Sequence, residues 1–412
     1  MDALKELIET MSLHDKSAFK NYLSTINKRN DAKNIRLFNL IDTDDISSIK
    51  KLYSGEKYID AYHALRKRLK DSLLDFLSKR YFEQTHIGIY EIQRHTVTAR
   101  FLFEQNIVSL GFKYLDKAET LAEQLEEHNL RNDILSLKLQ HAHLPKAESL
   151  ENISERFLQN QSNLQREAKL NLVYANLRTE LQAIHHTGKV INLSRLITVT
   201  MKKYDIGTSD LMSYKAIYQI LFIANEYAAI HQDYSTLESY IEHTESFLKN
   251  NKSKQQTHRY YHLSIMYLMA NFYLRRMDFQ QSRSYLSEME SALSEDHRYQ
   301  KRFLPKQQLL TALNLFFDGS AGEAVGLLES ALKDANHQNS ATEEVLDLRI
   351  SLAMILALLE DRQSLQQLNS LHQTDAWYEN KMGMLWTIRK NMMEILIYGQ
   401  FSQIEPALSR IN

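Results

Sequence analysis

Two histidines one helical turn apart are the first residues of this chain whose spacing could support chemistry. His258 and His262 stand in the stretch "HRYYH", and side chains four positions apart on a helix lie on one face, where two rings can share a metal ion. A zinc site needs at least one further protein ligand, and the intervening Glu of zinc proteases is missing. We therefore predict two histidines on a helix surface and no metal site.

A glycine-rich stretch, "GSAGEAVG", is the one segment that resembles a phosphate-binding loop. It holds Gly319, Gly322 and Gly326, but it lacks the Lys and the Ser or Thr that complete a P-loop, and no strand is predicted before it. The pattern favours a hairpin turn that runs into a helix. The chain also has no cysteine, which excludes disulfides, thiolate metal sites and cysteine nucleophiles. No catalytic residue, no metal and no cofactor are predicted, and an enzyme is not supported.

A run of basic residues near the N-terminus is the main candidate for nucleic-acid binding. The run consists of Arg66, Lys67, Arg68, Lys70, Lys79 and Arg80. A basic helix can bind phosphates, but Asp71 and Asp75 stand close enough on the same helix to form ion pairs with it. The whole chain has 50 basic and 51 acidic residues, a net charge of −1. We favour a solvated helix face and keep a nucleic-acid surface as the alternative.

The composition points to long helices with short connections. The 412 residues include only ten glycines and three prolines, far fewer than the turns of a β or α/β protein require. No uncharged apolar run approaches the roughly 18 residues that span a bilayer, and the first residues lack the apolar core of a signal peptide. We expect an all-α protein that lies in the cytoplasm and has no membrane partner.

Periodicity predicts two regions. Residues 1–85 read as a helical unit that ends in one long helix, with Ala61, Leu65, Leu69, Leu73 and Phe76 on a single stripe. Residues 86–412 read as helical hairpins, the first pair joined near Gly111. The stretch from about 130 to 210 is less regular, with separate helices expected around "AESLENISERFLQNQSNL" and "REAKLNLVYANLRTELQAIHH".

Two segments repeat one pattern of small, aromatic and acidic residues. They are "ANEYAAIHQDYSTLESYIEHTESFL" from Ala224 and "ANFYLRRMDFQQSRSYLSEMESAL" from Ala270. The small residue lets two helices approach closely, and the acidic residue of the turn can cap the next helix. Weaker copies follow at intervals of about 39 to 46 residues, a period typical of stacked helical hairpins. Such hairpins bury their apolar faces against one another.

These segments resemble tetratricopeptide-like (TPR-like) repeats. The spacing of "ANEY" and "ANFY", followed by a turn and a second helix, is similar to the TPR hairpin, although the repeat is longer than the usual ~34 residues. Three further stretches resemble a family of uncharacterised bacterial TPR-like proteins with a helical N-terminal region: "DKSAFKNYL…RLFNLI", "KAETLAEQLEEHNL" and "KMGMLWTIRKNMMEILIYGQF". The resemblance implies an α-solenoid of antiparallel hairpins that binds proteins in a bacterial cytoplasm. It also leads us to expect relatives that extend beyond residue 412.

The same resemblance suggests a ligand site. In TPR proteins the neighbourhood of the small residue lines a concave groove, which here holds Asn225 and Asn271. An Asn amide can hold a peptide backbone, and Arg275 or Arg276 can hold a carboxylate. Met354 takes the matching place in a later copy.

Both tryptophans of the chain lie near its C-terminal end, in "DAWYENKMGMLWTIRKNMMEIL". Such a Met- and aromatic-rich helix can be an adaptable binding face. We instead predict core, because Met382, Trp386 and Met393 fall at packing intervals.

The sequence as a whole favours a non-catalytic helical-repeat scaffold or adaptor that binds a protein or peptide partner in its concave groove. Two alternatives stay open. One is a nucleic-acid-associated factor that uses the basic N-terminal helix, and the other is a regulator that senses a peptide.

Overall fold

The computed structural model of the chain is helical. It describes residues 3–9, 11, 13–26, 32–43, 45, 56–84, 88–187, 193–207, 213–231, 234, 237–337 and 342–411, and no strand occurs among them. The predicted all-α class is therefore confirmed for the described part of the chain. Two compact units divide it, Met1–Leu150 and Glu151–Asn412. This division falls well after residue 85, where the sequence analysis placed the boundary.

The N-terminal unit consists of seven described helices. They are α1 (Ala3–Glu9), α2 (Leu13–Ile26), α3 (Ala32–Asp42), α4 (Glu56–Gln84), α5 (Gly88–Glu104), α6 (Val108–Gln124) and α7 (His128–Gln140). The long helix α4 buries Leu65, Leu69, Leu73 and Phe76 against α1, α2 and α3, as the stripe predicted. Ala61, the first residue of that stripe, is exposed because the apolar cluster under α4 reaches only as far as Tyr62.

The second unit contains the remaining described helices. They are α8 (Leu150–Thr187), α9 (Leu193–Lys203), α10 (Tyr214–His231), α11 (Glu238–Asn250), α12 (Arg259–Arg275), α13 (Phe279–Glu295), α14 (Gln300–Phe317), α15 (Ala321–His337), α16 (Thr342–Leu358), α17 (Gln363–Asn369), α18 (Asp375–Met382), α19 (Met384–Gln400) and α20 (Ile404–Ile411). Consecutive helices pack in pairs, which we call hairpins: α5/α6 in the first unit, and α10/α11, α12/α13, α14/α15, α16/α17 and α19/α20 in the second.

One turn geometry joins the two helices of most hairpins. In each case a residue with left-handed backbone angles follows the first helix. The backbone N–H of the next residue then donates to the carbonyl five positions earlier, inside that helix, which is the Schellman arrangement. The donors of the second unit are Asp278 to Tyr273 (2.9 Å), Ser320 to Leu315 (2.8 Å), Asp361 to Leu356 (2.9 Å) and Gln403 to Tyr398 (2.7 Å). Their positions, 278, 320, 361 and 403, are separated by 42, 41 and 42 residues. The same turn is therefore reused at a nearly constant interval.

A pair of small residues lets the two helices of a hairpin approach closely. Ala270 is fully buried, and its carbonyl accepts a hydrogen bond from the Ser282 hydroxyl of the second helix at 2.9 Å. Ala353 accepts the same bond from Ser364, also at 2.9 Å. Because a short side chain of one helix contacts the backbone of the other at these points, a longer side chain at either position would separate the helices.

Gly111 has a different role from the one predicted. It lies inside α6, and the first hairpin turns earlier, at Asn106 and Ile107. A Cβ atom at Gly111 would lie 2.9 Å from the Phe103 ring of the preceding helix. This glycine therefore permits close helix packing, and the turn is formed without a glycine.

The middle of the chain contains a longer helix than the sequence indicated. The two separate helices expected between residues 147 and 187 form the single helix α8, with 38 residues. No glycine or proline interrupts that stretch, so its polar residues mark an exposed face and not a break. Pro145, in contrast, lies in a break between helices.

The C-terminal aromatic residues belong to the core, as predicted. Trp377, Met382, Trp386 and Met393 are half-buried against an apolar cluster that includes Tyr378 and Ile397. The Trp386 indole N–H donates to Asp347 of α16 at 2.9 Å, which ties α19 to the hairpin before it. The glycine-rich stretch also forms the expected turn into a helix, with Gly319 at φ +92° before α15.

Candidate functional site

The structure brings the two predicted asparagines together. Asn225 lies on α10 and Asn271 on α12, and the Asn271 amide nitrogen is 3.5 Å from the Asn225 amide oxygen. Asn225 is buried, and its own amide nitrogen donates to the Leu221 carbonyl at 3.0 Å. Both polar groups of Asn225 are thus engaged inside the protein. Asn271 is half-buried and is the more accessible of the two.

The two predicted arginines are both exposed but have different surroundings. Arg276 donates to the Glu238 carboxylate of α11, and its guanidinium lies 5.7 Å from the Phe272 ring centroid. It therefore links two hairpins. Arg275 lies on the same face of α12 as Asn271 and acts electrostatically on Tyr267. Of the predicted set, Asn271 and Arg275 share one helix face.

The histidine pair is not on the surface, which corrects the sequence prediction. His258 is 9% exposed and His262 is 1% exposed. The Tyr214 ring of α10 causes this burial, because it stacks on His258 at 5.1 Å and meets His262 edge-on at 6.2 Å. A contact across more than 40 residues of sequence leaves no signal in "HRYYH".

A polar cavity of about 370 Å³ lies beside His262. Its charged groups pair mainly with each other: Arg259 with Glu295 at 2.7 Å, and His262 with Glu288 at 3.4 Å. The hydrogen bond from His262 lowers the pKa of Glu288, while burial opposes that shift. Within the described part of the chain, no group of three His, Cys, Asp or Glu side chains is arranged to hold a metal ion.

An aromatic surface on neighbouring helices is the feature that the sequence analysis missed. Six residues from four helices form it, and we call them the aromatic–arginine patch: Tyr174 and Arg178 of α8, Tyr218 and Phe222 of α10, Tyr260 of α12, and Arg302 of α14. Tyr218 is its centre, 6.4 Å from the Tyr260 ring and within electrostatic range of both arginines. The aromatic rings are half-buried and the two arginines are exposed.

Each arginine of the patch lies over aromatic rings. The Arg178 guanidinium is 5.7 Å from the Tyr174 centroid and 5.6 Å from the Phe222 centroid. The Arg302 guanidinium is 4.9 Å from the Tyr260 centroid. Cation–π contact holds a guanidinium in place while leaving its N–H donors in solvent, where they can bind carboxylates. The patch thus presents two preoriented cations.

Burial raises the pKa of the tyrosine hydroxyls on this surface. It raises the pKa of Tyr218 to about 12, and the neighbouring Tyr260 and Tyr174 reinforce the shift. Burial also raises the pKa of Tyr267, which lies about two turns further along the same face of α12, to about 12. At neutral pH these hydroxyls are protonated and can donate hydrogen bonds.

Contacts between charged and aromatic side chains also join the first helices of the later hairpins. Lys306 of α14 lies 5.7 Å from the Tyr267 centroid and 3.4 Å from the Glu344 carboxylate of α16. Asp347 of α16 then accepts the Trp386 bond described above. Burial raises the pKa of Asp347, although the indole bond opposes that shift. Toward α16 the surface therefore changes from basic and aromatic to acidic and paired.

The basic N-terminal helix is partly neutralised by its own neighbours. Lys79 pairs with Asp75 at 2.9 Å, the predicted spacing of four, and Arg80 pairs with Asp15 of α2 at 2.5 Å. Lys67, Arg68 and Lys70 are exposed on α4. This leaves a short basic stretch in place of the longer stripe that phosphate binding would use.

One lysine of the second unit is buried among charged groups. Lys390 of α19 is fully buried and contacts Glu394 at 3.1 Å and Asp375 at 3.2 Å. Arg410 of α20 also binds Glu394, at 2.8 Å. The cluster has two positive and two negative groups that satisfy one another, so it connects α18, α19 and α20 and offers no open acid or base.

Comparison with known proteins gives no relative. No protein-family model matches the chain, and no curated protein or solved structure matches it either. Within the described residues, no helix is both long enough and apolar enough to cross a membrane.

Proposed function

We propose that this protein is a non-catalytic helical-repeat scaffold, an α-solenoid of TPR-like hairpins, that binds a protein or peptide partner. We place the partner on the aromatic–arginine patch of α8, α10, α12 and α14. The binding surface extends along α12 through Tyr267 and Asn271 to Arg275, since these residues follow Tyr260 on one helix face.

Support for the repeat comes from the turns and the small residues. The same Schellman turn recurs after 42, 41 and 42 residues, and buried Ala270, Ala312 and Ala353 stand eight residues before three of those positions. Hairpins that share the same turn and the same buried small residue, repeated at a constant interval, are the units that stack to form a solenoid.

The single observation that carries the binding proposal is the pair of exposed guanidiniums held over half-buried rings, Arg178 and Arg302. Tyr and Arg dominate the energetics of protein interfaces, because they combine apolar area with directed donors and lose little side-chain entropy when already oriented. Two fixed cations and protonated tyrosine hydroxyls favour a partner segment that carries carboxylates. We infer that the partner presents an acidic segment.

A displayed peptide library tests the proposal. We expect selection on the purified protein to enrich acidic sequences, and fluorescence polarisation to give their affinities. Arg302→Ala should weaken such a peptide about tenfold, since a central interface arginine is worth more than about 1 kcal/mol. Arg362→Ala is the matched control, because Arg362 is an exposed arginine in the turn just before α17, away from the patch.

Equal affinities of the Arg302→Ala protein and the wild type would contradict the proposed site. Enrichment of basic or purely apolar peptides would contradict the proposed chemistry. Circular dichroism of both variants checks that the fold is unchanged.

A further inference from the structure

The polar cavity of about 370 Å³ beside His262 lies at the open end of the α12/α13 hairpin, away from the turn that joins the two helices. Residues 252–262 form one wall of it, and the C-terminal half of α13 forms the other. Small-molecule sites begin at about 300 Å³, so the cavity is large enough for a small metabolite. It shares no residue with the aromatic–arginine patch, and a ligand here needs no partner on that patch.

The two walls of the cavity carry charges of opposite sign. Lys252 and Arg259 lie on the first wall, whereas Glu288 and Glu295 lie on the α13 wall. These four side chains sum to zero charge at neutral pH. An anion alone would be repelled by the α13 wall, and a cation alone by the other wall. A ligand that carries one charge of each sign matches both walls.

Small side chains leave the space between the charged groups. Ser291 and Ala292 line the cavity and lie between Glu288 and Glu295 along α13. Ala292 is the one apolar residue among the described residues of the lining. A large apolar side chain on a ligand would therefore find little apolar surface to bury.

Two cavity side chains are held in place by the protein. The Arg259 side chain is 9% exposed, and its Nη2 donates to Glu295 at 2.7 Å. His262 lies 3.4 Å from Glu288 and meets the Tyr214 ring edge-on. A guanidinium has five N–H donors, so Arg259 keeps donors for a ligand carboxylate while it remains paired with Glu295. Groups that are already oriented lose little entropy when a ligand binds.

Lys252 supplies a second cation near the cavity. It is exposed and has no ion-pair partner among the described residues. The hydrogen bond from His262 lowers the pKa of Glu288, and the charge of Lys252 acts in the same direction. Glu288 is therefore ionised at neutral pH. Because a carboxylate offers about four acceptor sites, Glu288 can accept from an ammonium group in addition to His262.

We propose that this cavity binds a free α-amino acid with a small, polar, uncharged side chain. The ligand carboxylate binds Arg259 and Lys252, and its ammonium group binds Glu288. Gln255 and Gln256 line the same cavity, and their amides both donate and accept hydrogen bonds, which suits a hydroxyl or amide side chain. The proposal gives the protein a small-molecule ligand in addition to a protein partner.

Isothermal titration calorimetry with L-serine, L-asparagine and L-glutamine tests the ligand class. We expect at least one of them to bind with a dissociation constant of about 1 mM or tighter. The N-acetyl and carboxamide derivatives of that amino acid each lack one charge. Each should bind at least about tenfold more weakly, because the charged groups of one wall lose their partner. No binding of the three amino acids up to about 10 mM would overturn the proposal.

Two substitutions test the location of the ligand. Ser291→Trp should abolish binding, because the indole would fill the space beside Ala292. Ser287→Trp is its matched control, because Ser287 is an exposed serine of α13 outside the cavity lining. Helical side chains lean toward the N-terminus, so this indole points away from the cavity. Circular dichroism checks that both variants fold.

A charge substitution tests the carboxylate contact. Lys252→Gln should weaken binding about tenfold through the loss of a charge-assisted hydrogen bond. Lys249→Gln, at an exposed lysine of α11, should bind as the wild type does. Undiminished binding by Ser291→Trp would overturn the proposed location. Inorganic phosphate that binds as tightly as the amino acid would overturn the proposed chemistry, because it would show a site for anions alone.

Discussion

At the scale of single residues, the stability of the α19/α20 hairpin depends on an ion cluster with a buried centre. Lys390 and Glu394 are buried, Asp375 and Arg410 are about one-third exposed, and the four groups neutralise one another. Taking these groups out of water is costly, and only their mutual contacts offset that cost. Removing one member should therefore lower the free energy of unfolding by more than the loss of one exposed ion pair would.

We predict that Lys390→Met destabilises the protein by about 3 kcal/mol, because it leaves Glu394 buried with Arg410 as its remaining ion partner. Urea unfolding measures this change. Lys381→Met is the matched control, since Lys381 forms an exposed pair with Glu343, and it should cost no more than about 0.5 kcal/mol. Equal effects of the two substitutions would show that Lys390 is not a buried ion partner.

Two glycines should respond to alanine with opposite signs. A Cβ at Gly326 of α15 meets nothing within 4 Å, so Gly326→Ala should stabilise by about 0.5–1 kcal/mol through helix propensity. Gly111→Ala gains the same propensity but presses on the Phe103 ring, which also stacks on His141 at 4.1 Å. We expect a net loss of about 1 kcal/mol there. Chemical denaturation of both variants checks the signs, and a stabilised Gly111→Ala would contradict the close packing of α5 and α6.

The buried tyrosines predict a loss of stability at alkaline pH. The folded pKa of Tyr218 is raised to about 12 from the ordinary value of 10.0, so the unfolded chain releases this proton first. The stabilising contribution is complete below pH 10 and is lost as the pH rises toward 12. Melting temperatures should fall across that interval, and less steeply in Tyr218→Phe. Parallel curves for the two proteins would mean that Tyr218 ionises as freely when folded as when unfolded.

At the scale of the helices, each hairpin depends on a contact between small residues. Ala270→Arg would place a long charged side chain where the carbonyl of Ala270 meets Ser282, and should abolish cooperative folding of several hairpins. Circular dichroism and thermal melting report the loss. Ser284→Arg is the control, because Ser284 is exposed on α13 and should tolerate arginine. A native melting curve for Ala270→Arg would show that the helices do not meet at this point.

The helices were predictable from the sequence, but the exact positions of the turns between them were not. Apolar spacing identified the stripe of α4 and the hairpins around Ala224 and Ala270, because one-sided burial repeats every three to four residues. The sequence gave little indication of the turns, because the left-handed positions that usually carry glycine are taken here by residues such as Asn106, Met277 and Glu360. Gly111 was consequently mistaken for a turn.

At the scale of the whole molecule, the candidate site depends on contacts between distant parts of the sequence. The Arg178–Phe222 and Tyr260–Arg302 pairs each join residues more than 40 positions apart, and no local pattern announces them. Asn271 and Arg275 were predicted from the resemblance to TPR hairpins, and the structure places them on the same face of α12 as Tyr260. Asn225 was chosen by the same reasoning, but its amide is used inside the protein.

The most direct test of the central claim is a comparative affinity capture from native lysate, with and without nuclease. The baits are the wild type, Arg178→Glu/Arg302→Glu and the control Arg362→Glu, followed by mass spectrometry. We predict a small set of proteins that survives nuclease, is retained by the control and is lost with the double variant. Recovery of the same set by the double variant, or loss of the set on nuclease treatment, would contradict a protein-binding scaffold that uses the aromatic–arginine patch.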